Sequence, residues 1–293
     1  MRTEQEMFDL ILGFAREDER IRAVYMNGSR TNPNVPKDIF QDYDIVYVVN
    51  ETRTFIEDKD WIHVFGELLI KQEPDKNDQS VGREVDFDRS YMYLMLFKDG
   101  NRIDLRLQSR ECMLDEYKED KLTVPLLDKD QILPSIPEPS DKDYHVERPT
   151  EELYHNYCNE FWWCLQNVAK GIWRDELPYA NWMFENTSRN PLEKMISWWI
   201  GAQHDFSISP GKLGKYFKKH LPTNYWEMYE KTYYTSDYDS FWDSIFVACE
   251  LFRKLGTEVA DQLSFTYPMQ DDQNMMKYLK RVREIPKDAE EIF

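Results

Sequence analysis

The hydrophobic pattern of the chain changes once, at a proline-rich stretch from Leu133 to Pro149. This change constrains the fold more than any other feature of the sequence. Before the stretch, short apolar runs alternate with turns, whereas beyond it apolar residues recur at helical spacing. Four prolines interrupt any helix inside the stretch itself. We therefore predict an α+β domain over residues 1–133, with a mixed sheet flanked by helices, a linker over 134–149 and an all-α domain over 150–293.

Composition limits the partners that such a chain can take. The formal net charge is −18, yet 15% of the residues are aromatic, so the chain is too rich in core-forming side chains to be disordered. An acidic surface repels phosphate backbones, which disfavours a nucleic-acid partner and favours a small cationic one. The four cysteines lack C-x-x-C spacing, and there is no signal segment or membrane-length apolar run, so we expect a cytoplasmic protein. The oligomeric state is not predicted.

The clearest local signals lie in the first half. A capping box at Thr3–Glu6 predicts a helix that runs to about Asp18, and the apolar run 21–26 predicts a strand. The runs 91–97 and 102–107, separated by a turn that contains Asp-Gly, predict a β-hairpin.

In the second half, helical spacing dominates. Asn190-Pro191-Leu192-Glu193 combines an N-cap residue, a proline at the first helical position and a glutamate at the third, which predicts a helix start. The predicted helices span 151–173, 191–206, 212–221, 224–233, 241–265 and 272–283.

Two carboxylates stand one residue apart where a second apolar strand begins. Asp42 and Asp44 point to the same face of that strand, because side chains alternate along it. Like charges so close together are expected where they share a divalent cation, and Mg²⁺ prefers hard oxygen ligands combined with substrate phosphates. Asp104 is a third candidate, since a carboxylate inside a strand that otherwise reads as core is costly unless it is paired or metal-bound.

This set predicts nucleotidyl transfer, in which a hydroxyl attacks the α-phosphorus of a nucleoside triphosphate and pyrophosphate leaves. Asp42 and Asp44 are predicted metal ligands, and Asp104 is a metal ligand, a general base or both. The Gly28-Ser29 turn, which follows the first strand, is predicted to hold phosphates with its amides and hydroxyl, and Arg30 to help neutralise them.

Other charged residues are weaker candidates. Glu84, Asp86 and Asp88 alternate as on one strand face, which suits either recruitment of a cationic substrate or a solvated edge strand. Asp205 is a further substrate candidate near a helix end. Lys212 and Lys215, after Gly211, suit a triphosphate at a helix N-terminus or an ordinary basic turn; the segment does not match the P-loop pattern.

The ordered set of Gly28-Ser29-Arg30, Asp42-x-Asp44 and Asp104 resembles the signature of the DNA polymerase β-like nucleotidyltransferase superfamily. More closely, the chain resembles the streptomycin-modifying aminoglycoside 6-adenylyltransferases. The matching segments are Met26–Asn32, Gln41–Asp44, Asp205–Tyr216 and Asp271–Asn274.

This resemblance implies an N-terminal nucleotidyltransferase domain and a helical domain that lines the substrate cleft. It implies ATP as donor, Mg²⁺ as cofactor and AMP transfer to the 6-hydroxyl of streptomycin, a modification that confers antibiotic resistance. Two alternatives stay open. One is transfer to a protein or RNA acceptor, and the other is a nucleotide-binding regulator without catalysis.

Overall fold

The computed structural model describes all 293 residues and divides into two compact units, Met1–Asp143 and Tyr144–Phe293. The predicted linker spans this division and contains only one 3₁₀ turn, Lys142–Tyr144. None of the helices is both long and apolar enough to cross a membrane.

The first unit is built on a six-stranded mixed sheet in the order β3-β4-β5-β2-β1-β6. Only β2 and β5 pair in parallel; the other neighbours are antiparallel. The strands are β1 (Ile21–Asn27), β2 (Tyr43–Val49), β3 (Leu68–Gln72), β4 (Ser90–Phe97), β5 (Arg102–Ser109) and β6 (Val124–Asp128). The helices are α1 (Glu4–Glu17), α2 (Arg53–Glu57), α3 (Pro74–Ser80) and α4 (Arg110–Glu116), with 3₁₀ turns at Ser29–Thr31 and Trp61–Phe65.

One face of this sheet is fully covered. The predicted capping box is confirmed, because the Thr3 side chain and Glu6 satisfy each other's backbone amides at the start of α1. α1 then packs Met7 and Ile11 against the sheet, and the Tyr47 hydroxyl donates a 2.6 Å hydrogen bond to the Ile11 carbonyl. Alternation therefore turns the other side chains of β2 and β5 to the opposite face.

That opposite face is covered only in part. Met113 on α4 and the following Tyr117 pack against Val46 and Val48 of β2. The rest of the face carries charged and half-buried side chains, and the site described below lies there. The predicted hairpin is confirmed as β4 and β5, while β3 and β6 were not predicted because both are short and bear few buried residues.

The second unit is helical throughout, as predicted. Its helices are α5 (Glu151–Trp173), α6 (Leu177–Met183), α7 (Arg189–Gln203), α8 (Phe217–His220), α9 (Thr223–Glu230), α10 (Tyr238–Leu263) and α11 (Met269–Glu284). The two longest, α5 and α10, bring Phe161 and Phe252 into a parallel stack at 3.9 Å between ring centroids. This aromatic contact lies in one continuous apolar core.

The helix start predicted at Asn190 is wrong. α6 and α7 form one continuous helical segment through a π turn at Phe184–Ser188, so Asn190 lies inside the helix. Pro191 has no N–H to donate and its ring crowds the preceding turn, and a wider turn before it accommodates both. Arg189 anchors this region by donating to the Glu185 carboxylate at 2.5 and 2.8 Å.

The single helix predicted over residues 212–221 is also wrong. A 3₁₀ turn at Lys212–Gly214 precedes the one-turn helix α8. Leu213 and Gly214 both take positive φ, 56° and 73°, which interrupts any regular helix at this point.

Candidate active site

Three aspartates converge on the partly covered face of the sheet. Asp42 immediately precedes β2, Asp44 lies in β2, and Asp104 lies opposite Asp44 in the parallel register of β2 and β5. One carboxylate oxygen from each of the three lies within 4.8 Å of the others. The strand pairing thus brings together Asp44 and Asp104, which are 60 positions apart in the chain.

The electrostatics of this cluster are unfavourable for three negative charges. Burial, followed by repulsion from Asp42 and Asp104, raises the pKa of Asp44 to about 7. Hard oxygen donors packed this closely fit a divalent cation such as Mg²⁺. The three aspartates therefore fit the predicted metal site, and their individual roles as ligands stay predictions.

One arginine in the cluster was missed by the sequence analysis. Arg102 donates from Nε to Asp104 Oδ1 at 2.7 Å and from Nη2 to Asp104 Oδ2 at 2.6 Å. Its Nε also lies 3.8 Å from Asp42 Oδ2, and these carboxylates raise the pKa of Arg102. The signal was present in the sequence, because residues 102 and 104 share a strand face.

Two amide side chains beside the cluster were missed as well. Asn27 lies opposite Asp44 in the β1–β2 register, and Gln41 precedes Asp42. The side-chain oxygens of Asn27 and Gln41 are buried without a hydrogen-bond partner. Buried acceptors without partners are costly, which is consistent with a cationic or donor group binding next to them.

The Gly28-Ser29 turn closes the β1 side of the cluster. Gly28 has φ of 78°, and a Cβ atom on it would lie 2.0 Å from Asp44 Oδ2, so only glycine fits here. Ser29 opens the short 3₁₀ turn that follows. The backbone therefore approaches the carboxylates directly at this turn, without a side chain between them.

Arg30 serves the backbone of the site. Its guanidinium donates to the carbonyls of Asp42 at 2.9 Å and Gln41 at 2.7 Å and lies 3.8 Å over the Tyr43 ring. Tyr43 faces the covered side of the sheet, away from Asp42 and Asp44. Arg30 therefore holds the backbone in place immediately before β2. Its contact with phosphates stays a prediction.

The strand predicted for Glu84, Asp86 and Asp88 is wrong. These residues form a loop before β4, in which Asp86 accepts the amides of Asp88 at 3.0 Å and Arg89 at 3.2 Å and so stabilises a turn. Asp88 is paired with Arg53. The charges therefore do not share a strand face, and their role as substrate residues stays a prediction.

The candidates in the helical unit lie on exposed turns. Asp205 follows α7 with φ of 49°, and Lys215 places its Nζ 5.1 Å from the Tyr216 ring centroid. Lys212 begins the 3₁₀ turn described above. The predicted binding roles of these three residues stay predictions.

The residues of the segment Asp271–Asn274 lie in two different environments, one buried and one open to solvent. Asp272 is fully buried and accepts two hydrogen bonds from Arg253, each 2.5 Å long, and one from the Tyr267 hydroxyl at 2.9 Å. Asp271 and Asn274 instead line an open groove of about 920 Å³. Part of this segment therefore stabilises the helical unit.

The comparisons with known proteins identify the family. The model of the family described as streptomycin adenylyltransferase matches residues 1–282. The chain belongs to this family. It is accordingly a nucleotidyltransferase.

Two curated relatives of similar length support the same assignment. An aminoglycoside 6-adenylyltransferase of Campylobacter jejuni is 40% identical over 272 residues, which are 93% of each chain. One from Bacillus subtilis (strain 168) is 38% identical over 283 residues, 96% of this chain and 98% of the relative. A crystal structure of an aminoglycoside 6-adenyltransferase from Bacillus subtilis, 33% identical, covers 97% of this chain and 100% of that one with a TM-score of 0.48.

Proposed function

We propose that this protein transfers AMP from ATP to the 6-hydroxyl of streptomycin, with Mg²⁺ as cofactor. The observation that carries the proposal is the cluster of Asp42, Asp44 and Asp104 beside the Gly28-Ser29 turn, in a chain of the streptomycin adenylyltransferase family. Three curated relatives are named as aminoglycoside 6-adenylyltransferases, which favours an aminoglycoside acceptor. The net charge of −18 favours a cationic acceptor independently.

The reaction forms one bond and breaks one. The acceptor oxygen bonds to the α-phosphorus of ATP while the bond from that phosphorus to the bridging oxygen breaks, and pyrophosphate leaves with the electron pair. Asp104 takes the hydroxyl proton, directly or through a water molecule. Asp42 and Asp44 would hold the Mg²⁺, which would supply positive charge at the attacking and leaving oxygens.

The chain positions the reactants around this step. Asp42 and Asp44 hold the cation, and the backbone of Gly28 and Ser29 receives the departing phosphates at close range. Arg30 keeps Asp42 in place by holding its carbonyl. Arg102 engages one lone pair on each oxygen of Asp104, so the hydroxyl proton goes to a remaining lone pair of that carboxylate.

The first test is a transfer assay. The purified protein, ATP and Mg²⁺ are incubated with a panel of aminoglycosides, an RNA pool and bovine serum albumin, and each product is analysed by mass spectrometry for added AMP. We expect the addition on streptomycin alone, at the 6-hydroxyl by fragmentation. Addition to RNA or albumin, or no addition anywhere, would contradict the proposal.

The matched variant is Asp42→Asn, which keeps the size of the side chain and removes its charge. We expect at least about a thousandfold loss of kcat, because a shared metal ligand is lost, with an unchanged circular dichroism spectrum. Arg53→Gln, which removes an exposed partner of Asp88, is the control and should retain activity. Turnover by Asp42→Asn at the wild-type rate would remove Asp42 from the metal site.

A further inference from the structure

A single row of side chains crosses five strands on the face that carries the aspartates. In the strand register Gln72, Leu94, Asp104, Asp44 and Asn27 are successive cross-strand neighbours. Directly paired residues share a face, so all five side chains project from the same side of the sheet. Leu94 is therefore the cross-strand neighbour of Asp104, the proposed general base.

The two ends of this row are not equivalent for the reaction. β1, which leads into the Gly28-Ser29 turn, flanks β2 on one side, and β5, which carries Asp104, flanks it on the other. In a phosphoryl-type transfer the attacking and leaving oxygens are roughly in line on opposite sides of the phosphorus. If the phosphates leave toward Gly28 and Ser29, the acceptor approaches from the β5 side, over β4 and β3.

The surface on that side is apolar and open. Leu94 and Leu96 are half-buried, and Ile70, the cross-strand neighbour of Leu96, has 64% of its surface exposed. Leu96 in turn pairs with Arg102, so the second row also ends at the cluster. Contiguous apolar side chains open to solvent beside a charged site are typical of a surface that binds a ligand.

We propose that Ile70, Leu94 and Leu96 form an acceptor platform, a subsite that receives the aliphatic C–H face of an aminoglycoside ring. This inference rests on the proposed function. The platform lets the ring lie flat beside Asp104, so that a ring hydroxyl points at the carboxylate. The cationic substituents of the ring remain at its rim, where the acidic chain attracts them.

The platform is tested at Ile70, because a side chain this exposed can be replaced in the Ile70→Lys variant with little effect on stability. That variant removes apolar surface and adds a charge that repels a cationic ring. We expect the KM for streptomycin to rise about tenfold, with the KM for ATP unchanged. Ile70→Glu, which removes the same apolar surface but attracts the ring, should raise the streptomycin KM less.

The control is Leu114→Lys, at a leucine on α4 that is 54% exposed and lies outside both rows. It should leave both KM values unchanged, and thermal melting should show that all three variants are folded. Titration calorimetry of streptomycin into each protein without ATP gives a second readout, in which Ile70→Lys should weaken binding to a similar extent.

The outcomes separate the two proposals. A normal streptomycin KM in Ile70→Lys would overturn the platform and leave the proposed function standing. A raised KM for ATP instead would overturn it too, because the surface would then hold the nucleotide. Failure of the wild-type protein to adenylate any aminoglycoside would overturn the proposed function and the platform with it.

Discussion

At the scale of single residues, Arg102 is the feature that most changes the view of the site. The three carboxylates of the cluster lie close enough together to share one cation. Arg102 donates two charge-assisted hydrogen bonds to one of them, that of Asp104. That guanidinium and an incoming divalent cation compete for the same oxygens. We infer that the arginine stabilises the cluster while no metal is bound and would oppose the predicted metal binding.

We therefore predict that Arg102→Ala binds Mn²⁺ more tightly than the wild-type protein does. Removal of the competing charge should lower the Kd about tenfold in the absence of nucleotide, measured from the electron paramagnetic resonance signal of free Mn²⁺. Arg53→Ala, which removes an exposed arginine paired with Asp88, is the matched control. A higher Kd in Arg102→Ala would mean that the arginine supports the metal site.

At the scale of elements, the helical unit depends on how α11 is joined to α10. Asp272 at the start of α11 is fully buried and bonds to Arg253 of α10 and to Tyr267 between them. A buried carboxylate without its partners would be costly, and so would the partners without the carboxylate. The neighbouring Asp271 is exposed, which offers a matched pair of substitutions.

We predict that Asp272→Ala lowers the free energy of unfolding of the helical unit by about 2 kcal/mol, because it leaves the partly exposed Arg253 and the Tyr267 hydroxyl without their acceptor. Asp271→Ala should change it by less than about 0.5 kcal/mol. Urea unfolding followed by tryptophan fluorescence measures this unit, since eight of the nine tryptophans lie in it. Equal effects of the two substitutions would show that the hydrogen bonds of Asp272 contribute nothing specific to stability.

The elements also show which parts of the fold can be predicted from the sequence. The periodic and capped segments were predicted well: α5 was placed at its observed bounds, and the hairpin of β4 and β5 nearly so. The start at Asn190 failed because a π turn allowed a proline inside a continuous helix. The strand predicted over Glu84–Asp88 was wrong because Asp86 accepts backbone amides within a turn, and the alternation of charges does not reveal that turn.

Within the site, the sequence indicated the three aspartates and the glycine turn, because Asp44 and Asp104 interrupt apolar strands and Asp42 and the turn adjoin strand ends. Arg102 was missed although its place on the strand face of Asp104 could have been read from the sequence. The sequence did not indicate Asn27 or Gln41, since their importance depends on which strands are neighbours. That order places β5 beside β2 in parallel, and no local pattern specifies it.

At the scale of the whole molecule, the net charge of −18 has a kinetic consequence. A cationic acceptor is attracted toward an acidic protein, and salt screens that attraction over a Debye length of about 10 Å at 0.1 M. We predict that kcat/KM for streptomycin falls severalfold between about 0.05 and 0.5 M KCl, while kcat changes little. A salt-independent kcat/KM would show that the charge contributes only to solubility.

The parallel pairing of β2 with β5 has a consequence for partly folded chains. A slip of one residue between these strands turns one set of side chains to the other face. Either Asp44 or Asp104 would then exchange places with a core residue such as Ile45 or Ile103. A chain with slipped strands would lack the aspartate cluster. The specific activity of a refolded sample therefore measures the fraction of molecules in which β2 and β5 pair in the correct register.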